Sequence, residues 1–252
     1  GLTVALAGTG GDELFGGYSS FRDVPWAARW SSRFAWLPPE LLRRVANTVT
    51  HARSVRSAVP PQTRWGKLGD ALAARGNLLD TYQVSYALFS SDFARQLLKG
   101  RVNAERCARL PRQVARELGE VIGAGSPLPS ISMLELRCFL GERLLRDTDA
   151  ASMATSLEVR VPFLDHEVVS SACALSDKQR FEPLGKKQIL REIALDGLDP
   201  ALFDRPKSGF VLPIDRWARN TLKEEMTAAL HDPTFCEAVG LDPRGVRRLW
   251  SA

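Results

Sequence analysis

ALAGTGGDELFGGY, residues 5–18, sets five glycines around the adjacent carboxylates Asp12 and Glu13. The segment before and into it, LTVALA (2–7), is a continuous apolar run ending at a glycine and reads as a short buried strand. A strand, a glycine turn and carboxylates at a helix start form an arrangement in which backbone N–H groups face an anion. A carboxylate there can also hold Mg²⁺, which in turn holds phosphates. The plainer reading is that the glycines make the turn and Asp12 caps a helix, an effect of about 1 kcal/mol. No Gly-Lys-Ser/Thr follows, so the stretch is not a Walker A loop. It is not a dinucleotide fingerprint either, because Glu13 stands where the third glycine belongs.

The 252 residues allow one large domain or two small ones. Hydrophobic residues at 44% and charged residues at 25% are ordinary for a soluble globular chain. No apolar run approaches the roughly 18–20 residues of a membrane helix, and GLTVALAG has no secretory character. The chain opens without methionine directly on a strand-like segment, which leads us to expect a piece of something longer. Net charge is +5 with a pI near 9.2, which permits an anionic partner. The basic residues are dispersed, with local pairs at Arg43–Arg44, Lys186–Lys187 and Arg247–Arg248, so a solvated surface is expected rather than a nucleic-acid platform. Cys107, Cys138, Cys173 and Cys236 are far apart without a C-x-x-C pair, which argues against zinc and a disulfide scaffold and fits a reducing cytoplasm.

Beyond the opening strand the periodicity is helical over 26–36, 40–57, 78–99 and 105–122, punctuated by Pro38–Pro39, Pro60–Pro61, Gly100 and Gly123–Gly125. Residues 131–154 place Met133, Leu136, Leu140 and Leu144 on one helical face. LEVRV (157–161) alternates as a short strand or extended loop. Helices are expected again over 166–175 and 186–197, a loop over 199–217 and a terminal helix near 217–230. One clear strand among many helices suits an α/β fold whose further strands lie upstream.

Three further groups can carry chemistry. In SLEVRVPFLDH (156–166), Glu158 and Arg160 share one face while Leu157, Val159 and Val161 share the other. That suggests an internal ion pair, with Asp165 capping the next helix. In RPKSGF (205–210), Pro206 and Gly209 shape a loop presenting Arg205 and Lys207, two cations suited to a polyphosphate or to charge developing in a transition state. Glu142 and Arg146 are spaced as a helix-surface pair worth a few tenths of a kcal/mol, with Asp147-Thr148-Asp149 as the polar helix end.

GTGGDELFGGY, LLRDTDAASMATSLEVRVPFLDH, GKKQILR and RPKSGFVLPIDRW together resemble, in order and approximate spacing, the glutamine-dependent asparagine synthetases. The likeness runs from about Val4 to Trp217 and corresponds to the later part of their synthetase domain. It implies an α/β, predominantly helical fold: the later part of an ATP-pyrophosphatase-like (adenine nucleotide alpha hydrolase-like) domain. On this reading residues 1–252 are a partial asparagine synthase domain, with 1–25 the strand–loop–helix of the nucleotide site and 26–252 its mainly helical remainder. The family's N-terminal glutaminase domain and its Ser-Gly-Gly-x-Asp-Ser pyrophosphate loop are expected to lie outside this chain.

The implied reaction is a cytoplasmic, ATP- and Mg²⁺-dependent conversion of aspartate to asparagine through an acyl-adenylate, with ammonia supplied by the glutaminase. The resemblance assigns Ala7, Gly8, Thr9, Gly10 and Gly11 to the nucleotide, Asp12 to Mg²⁺–pyrophosphate, and Lys207 to stabilising charge. Arg205 is placed beside Lys207, and Glu142 near a position catalytic in β-lactam-forming relatives. The isolated chain is expected to be inactive. No membrane or nucleic acid is implied, and a homodimer is compatible. Ala7-Gly8-Thr9 replaces the family's common Ser-Gly-Asp/Glu, which leaves another acceptor carboxylate open. A non-catalytic module of the same fold is a second reading. A diguanylate cyclase reading of GGDEL requires that motif on a hairpin followed by an apolar strand, whereas FGGYSSF follows here.

Overall fold

The computed structural model describes residues 1–53, 66–98, 110–122, 125–199 and 212–251. These fall into two units. One comprises 1–35, 74–85 and 112–200, the other 36–73, 86–111 and 201–252.

The first unit opens with strand β1 (Val4–Leu6), which leads through a glycine turn into the short helix α1 (Gly11–Leu14) and then α2 (Ser20–Ser32). Strand β2 (Glu158–Arg160) lies parallel to β1 with Val4 opposite Glu158, Ala5 opposite Val159 and Leu6 opposite Arg160. The ladder continues where the Glu158 N–H donates to Thr3 O and the Ala7 N–H to Arg160 O, each at 2.9 Å. Both expected strands are therefore present, and they are partners, but β1 is not the buried strand its apolar run implies, since Val4 and Leu6 are exposed. Glu158 and Arg160 share the exposed face and pair at 2.9 Å, as their alternation implies.

Between the strands runs a long helical passage, Pro127–Leu134, Glu135–Leu144 and Leu145–Met153. We label the first stretch α3 and the last α4. The ten residues between them wind as a π-helix, with five-residue rather than four-residue hydrogen bonds. Helix α3 is the hub of this unit, packed against α1 and α2, and buries Ile131, Leu134 and Glu135 at its end. The face expected from spacing alone is corrected here. Leu140 is buried, but Met133 is 40% exposed, because the burial follows the neighbours of α3 and the π-helix then rotates the register. Asp147 and Asp149 fall within α4 rather than ending a helix.

The chain then passes through a 3₁₀ turn, Pro162–Leu164, into α5 (His166–Ala174), α6 (Asp177–Phe181) and α7 (Gln188–Ala194). Asp165 caps α5 as expected, its side chain accepting from the Glu167 N–H at 2.9 Å. Ser176 and Gln179 form a reciprocal capping box on α6. Leu14, Phe15 and Ala172 make a core into which Leu136, Phe163, Val169, Ile189 and Leu190 pack. Phe21 and Phe181 close beside it, with ring centres 5.5 Å apart.

In the second unit, helices Pro39–Arg53 and Leu68–Ala73 pack together. Asp70 of the latter lies 3.5 Å from Arg43 and accepts the Ser91 N–H at 2.7 Å. A small core of Phe93, Leu97, Cys236 and Val246 joins helices Ser91–Leu97, Pro233–Ala238 and Pro243–Trp250. The helix expected over 78–99 is two, Leu78–Tyr86 and Ser91–Leu97, because Ser90 is extended and caps the second through the Phe93 N–H. The terminal helix near 217–230 is likewise two, Ile214–Arg219 and Lys223–His231, followed by two more helices that proline at their first turns helps to start. No helix among the described residues is long and apolar enough to cross a membrane.

Candidate functional site

The turn between β1 and α1 explains its glycines. Gly10 sits at φ 102°, and a Cβ there would lie 2.6 Å from the Leu164 side chain. An L-residue there is strained by its conformation and requires the Leu164 side chain to shift. A Cβ on Gly17 would meet the Asp12 carboxylate at 1.8 Å, so the second glycine pair makes room for that side chain. The 3₁₀ turn of PFL lies beneath the loop, with Phe163 in contact range of Gly8, Gly10 and Gly11. The RVPFLD stretch thus supports the turn rather than supplying chemistry.

Asp12 is not the cap of α1. That position belongs to Gly10, and Asp12 lies within the first turn. Its half-buried carboxylate is 2.8 Å from Lys187 Nζ, whose side chain is about one-third exposed at 34%. Lys187 precedes α7 in the left-handed conformation, φ 50° and ψ 51°. That backbone state costs a non-glycine residue about 1 kcal/mol or more. The Gly185 N–H donates to Gly16 O at 2.9 Å, pinning the Lys187 loop to the glycine turn. In the sequence Lys187 is half of a basic pair and part of the GKKQILR block, and nothing in its spacing points to Asp12.

Glu13 turns the other way. It is 1% exposed and accepts the Tyr18 hydroxyl hydrogen bond at 2.8 Å. Burial first, and then that bond to Glu13, hold the Tyr18 phenol protonated far above its usual range. A second buried carboxylate, Glu135, accepts from Ser20 and, at 3.3 Å, from the Tyr82 hydroxyl. Arg180 reaches in from α6, its Nε donating to Leu14 O at 2.7 Å and its guanidinium to Ser132 Oγ at 2.6 Å. Ser132 in turn donates to Glu13 O at 2.8 Å. Arg180 therefore fixes the C-terminal carbonyls of α1 directly and through one hydroxyl, and burial lowers its pKa. Sequence reading missed this set because its members are scattered between residues 13 and 180.

Of the residues singled out from sequence, Ala7, Gly8, Thr9 and Gly10 form the turn after β1, and Gly11 and Asp12 open α1. Glu142 lies on the π-helix, exposed, paired with Arg137 and 4.0 Å from Arg146. The closer partner is Arg137 rather than the expected Arg146, because π winding brings residues five apart onto one face. Arg205 and Lys207 lie outside the described residues. Among the described residues no group of three or more His, Cys, Asp or Glu side chains could cage a metal. One carboxylate such as Asp12 fits Mg²⁺ only where phosphates and water supply the other ligands, which is the usual habit of that ion. GGDEL lies on a helix rather than a hairpin, so the diguanylate cyclase reading fails.

Comparison with known proteins agrees with this picture. The chain is 31% identical over 226 residues to asparagine synthetase (glutamine-hydrolysing) 1 of Bacillus subtilis, an alignment covering 88% of this chain and 33% of that protein. It is 32% identical over 221 residues to proteins of Mycobacterium bovis and Mycobacterium tuberculosis provisionally named glutamine-hydrolysing asparagine synthetases, covering 86% of this chain and 31% of each. The chain therefore spans about a third of the length of these relatives. No solved structure matches it. The family described as Asparagine synthase matches residues 1–252, and the chain belongs to that family.

Proposed function

We propose that the chain is the later part of an ATP-dependent carbon–nitrogen ligase that amidates a carboxylate, aspartate being the first candidate. The supporting observation is the β1–glycine turn–α1 unit, in which Gly10 rather than Asp12 takes the cap position and the Asp12 carboxylate stands in the first turn of α1 beside a glycine-rich loop. In the proposed reaction the acceptor carboxylate attacks the α-phosphorus of ATP, forming an acyl-adenylate and releasing pyrophosphate. Ammonia then attacks the acyl carbon, AMP leaves and the amide forms. Residues 7–11 would line the nucleotide, and Asp12 would hold Mg²⁺ against its phosphates. Lys207, with Arg205 beside it, would offset the charge that builds on phosphorus. Glu142 is proposed to act near the acyl group, and release from its arginine partners would have to accompany that role. Ammonia would come from glutamine in a glutaminase domain encoded with the chain.

The test is carboxylate-dependent release of pyrophosphate from ATP by the complete protein, comparing aspartate with other acids. The expected result is aspartate-dependent release that falls at least about 100-fold in Asp12→Asn and Lys207→Ala. Unchanged rates in both variants contradict the assignment. Release driven by another acid and not by aspartate moves the acceptor, in keeping with Ala7-Gly8-Thr9.

A further inference from the structure

We infer that the solvent face of α2 is a docking site for an anionic lipid surface, which holds the protein peripherally with no segment crossing the bilayer. The inference is independent of the nucleotide reading. At about 100° per residue, Arg22, Arg29 and Arg33 fall in one row within about 40° of arc, and Trp26 and Trp30 form a second row beside it. The opposite side of the helix carries Phe21, Val24, Ala28 and Ser31, all buried. Trp26 is 67% exposed and Trp30 38%. Their rings lie parallel with centres 6.4 Å apart, and Phe34 meets Trp30 edge-on at 5.2 Å. Two large apolar rings are thus held together at the surface, flanked by guanidinium groups.

The charge on this face decides what it can meet. Asp23, the one carboxylate of α2, pairs with Arg22 at 2.9 Å. Arg29 and Arg33 are exposed and make no ion pair among the described residues. Arg75 adds an exposed guanidinium at the C-terminal end of the helix, where it donates to Ala35 O. The Gly76 N–H donates to Ser31 Oγ at 3.0 Å and fixes that turn on α2. A second copy would bring the same arginines and no anion, so the face calls for an anionic occupant. The 13 residues of α2 span about 20 Å. Half the circumference of such a helix falls well short of the roughly 800 Å² that each partner buries in a stable protein interface. A lipid headgroup layer makes no such demand, because indoles settle at its apolar boundary while arginines bond its phosphates.

The full chain is sedimented with vesicles of phosphatidylcholine alone and with vesicles containing about 30% phosphatidylserine. Binding is expected to the mixed vesicles only, and it should weaken as salt rises. Removing two charges together, Arg29→Gln with Arg33→Gln, should weaken it about 25-fold, or about fivefold for each arginine. Trp26→Ala should weaken it at least about fivefold. Arg116→Gln, at a 73% exposed side chain on the helix Arg112–Ile122, should change it less than about twofold. Each substituted side chain is accessible, so the fold is retained. Absence of binding to the mixed vesicles, or an equal loss in Arg116→Gln, overturns the inference. Binding of a single-stranded oligonucleotide without binding of vesicles also overturns it, and makes this face a nucleic-acid platform instead.

Discussion

Asp12 and Glu13 are chemically alike and adjacent, yet the fold assigns them opposite tasks. Asp12 is half-buried beside Lys187, whereas Glu13 is sealed in the core against Tyr18. Replacing Tyr18 with phenylalanine leaves the buried Glu13 carboxylate without that donor, which costs about 1–3 kcal/mol. The same variant changes the pH profile. The native phenol stays protonated above the ordinary tyrosine pKa of about 10, while the unfolded chain releases its proton there. Stability from this group is fully present below about pH 10 and is lost as pH rises beyond it. Urea unfolding between pH 8 and 11 should show an alkaline decline that is shallower in Tyr18→Phe. Equal slopes would remove Tyr18 as its source. The sequence shows two carboxylates in a row, but their partners are supplied by the packing and are not visible in it.

At the scale of the element, the β1–α1 turn depends on glycine geometry. Gly10→Ala combines a positive φ with a 2.6 Å clash against Leu164, and a loss of about 2–3 kcal/mol is expected in thermal unfolding. A loss below about 0.5 kcal/mol would mean that the turn relaxes freely. β1 was legible because its apolar run ends at glycine, and β2 because its charges alternate. Their pairing was not legible, since about 150 residues separate them and parallel partners leave no turn signal between them. The 78–99 pattern reads as one helix because its apolar spacing continues across the break. The Ser90 cap that divides it is a local signal which the periodicity conceals. The apolar spacing over 131–154 reads as an ordinary helix and conceals the π winding of Glu135–Leu144, which moves Arg137 rather than Arg146 closest to Glu142.

Across the whole molecule, the polar residues that fix the candidate site come from distant parts of the sequence: Ser20, Tyr82, Ser132, Glu135 and Arg180. No window of the sequence contains them together, which is why the loop was legible and its supports were not. The sheet leaves a different trace. Leu2 and Leu6 are 75% and 74% exposed on the β1 face that also carries Val4. Contiguous exposed apolar side chains on one face of a strand favour self-association. Light scattering of the 252-residue chain should therefore rise with concentration, and Leu6→Lys should suppress that rise. Scattering unaffected by Leu6→Lys would show that this face plays no part. The central claim, that residues 7–12 hold a nucleotide, is tested most directly by equilibrium binding of Mg-ATP to the complete protein and to its Asp12→Asn variant. The account predicts saturable binding that weakens at least about tenfold on that single substitution. Absence of saturable binding, or equal affinity in the two proteins, would contradict it.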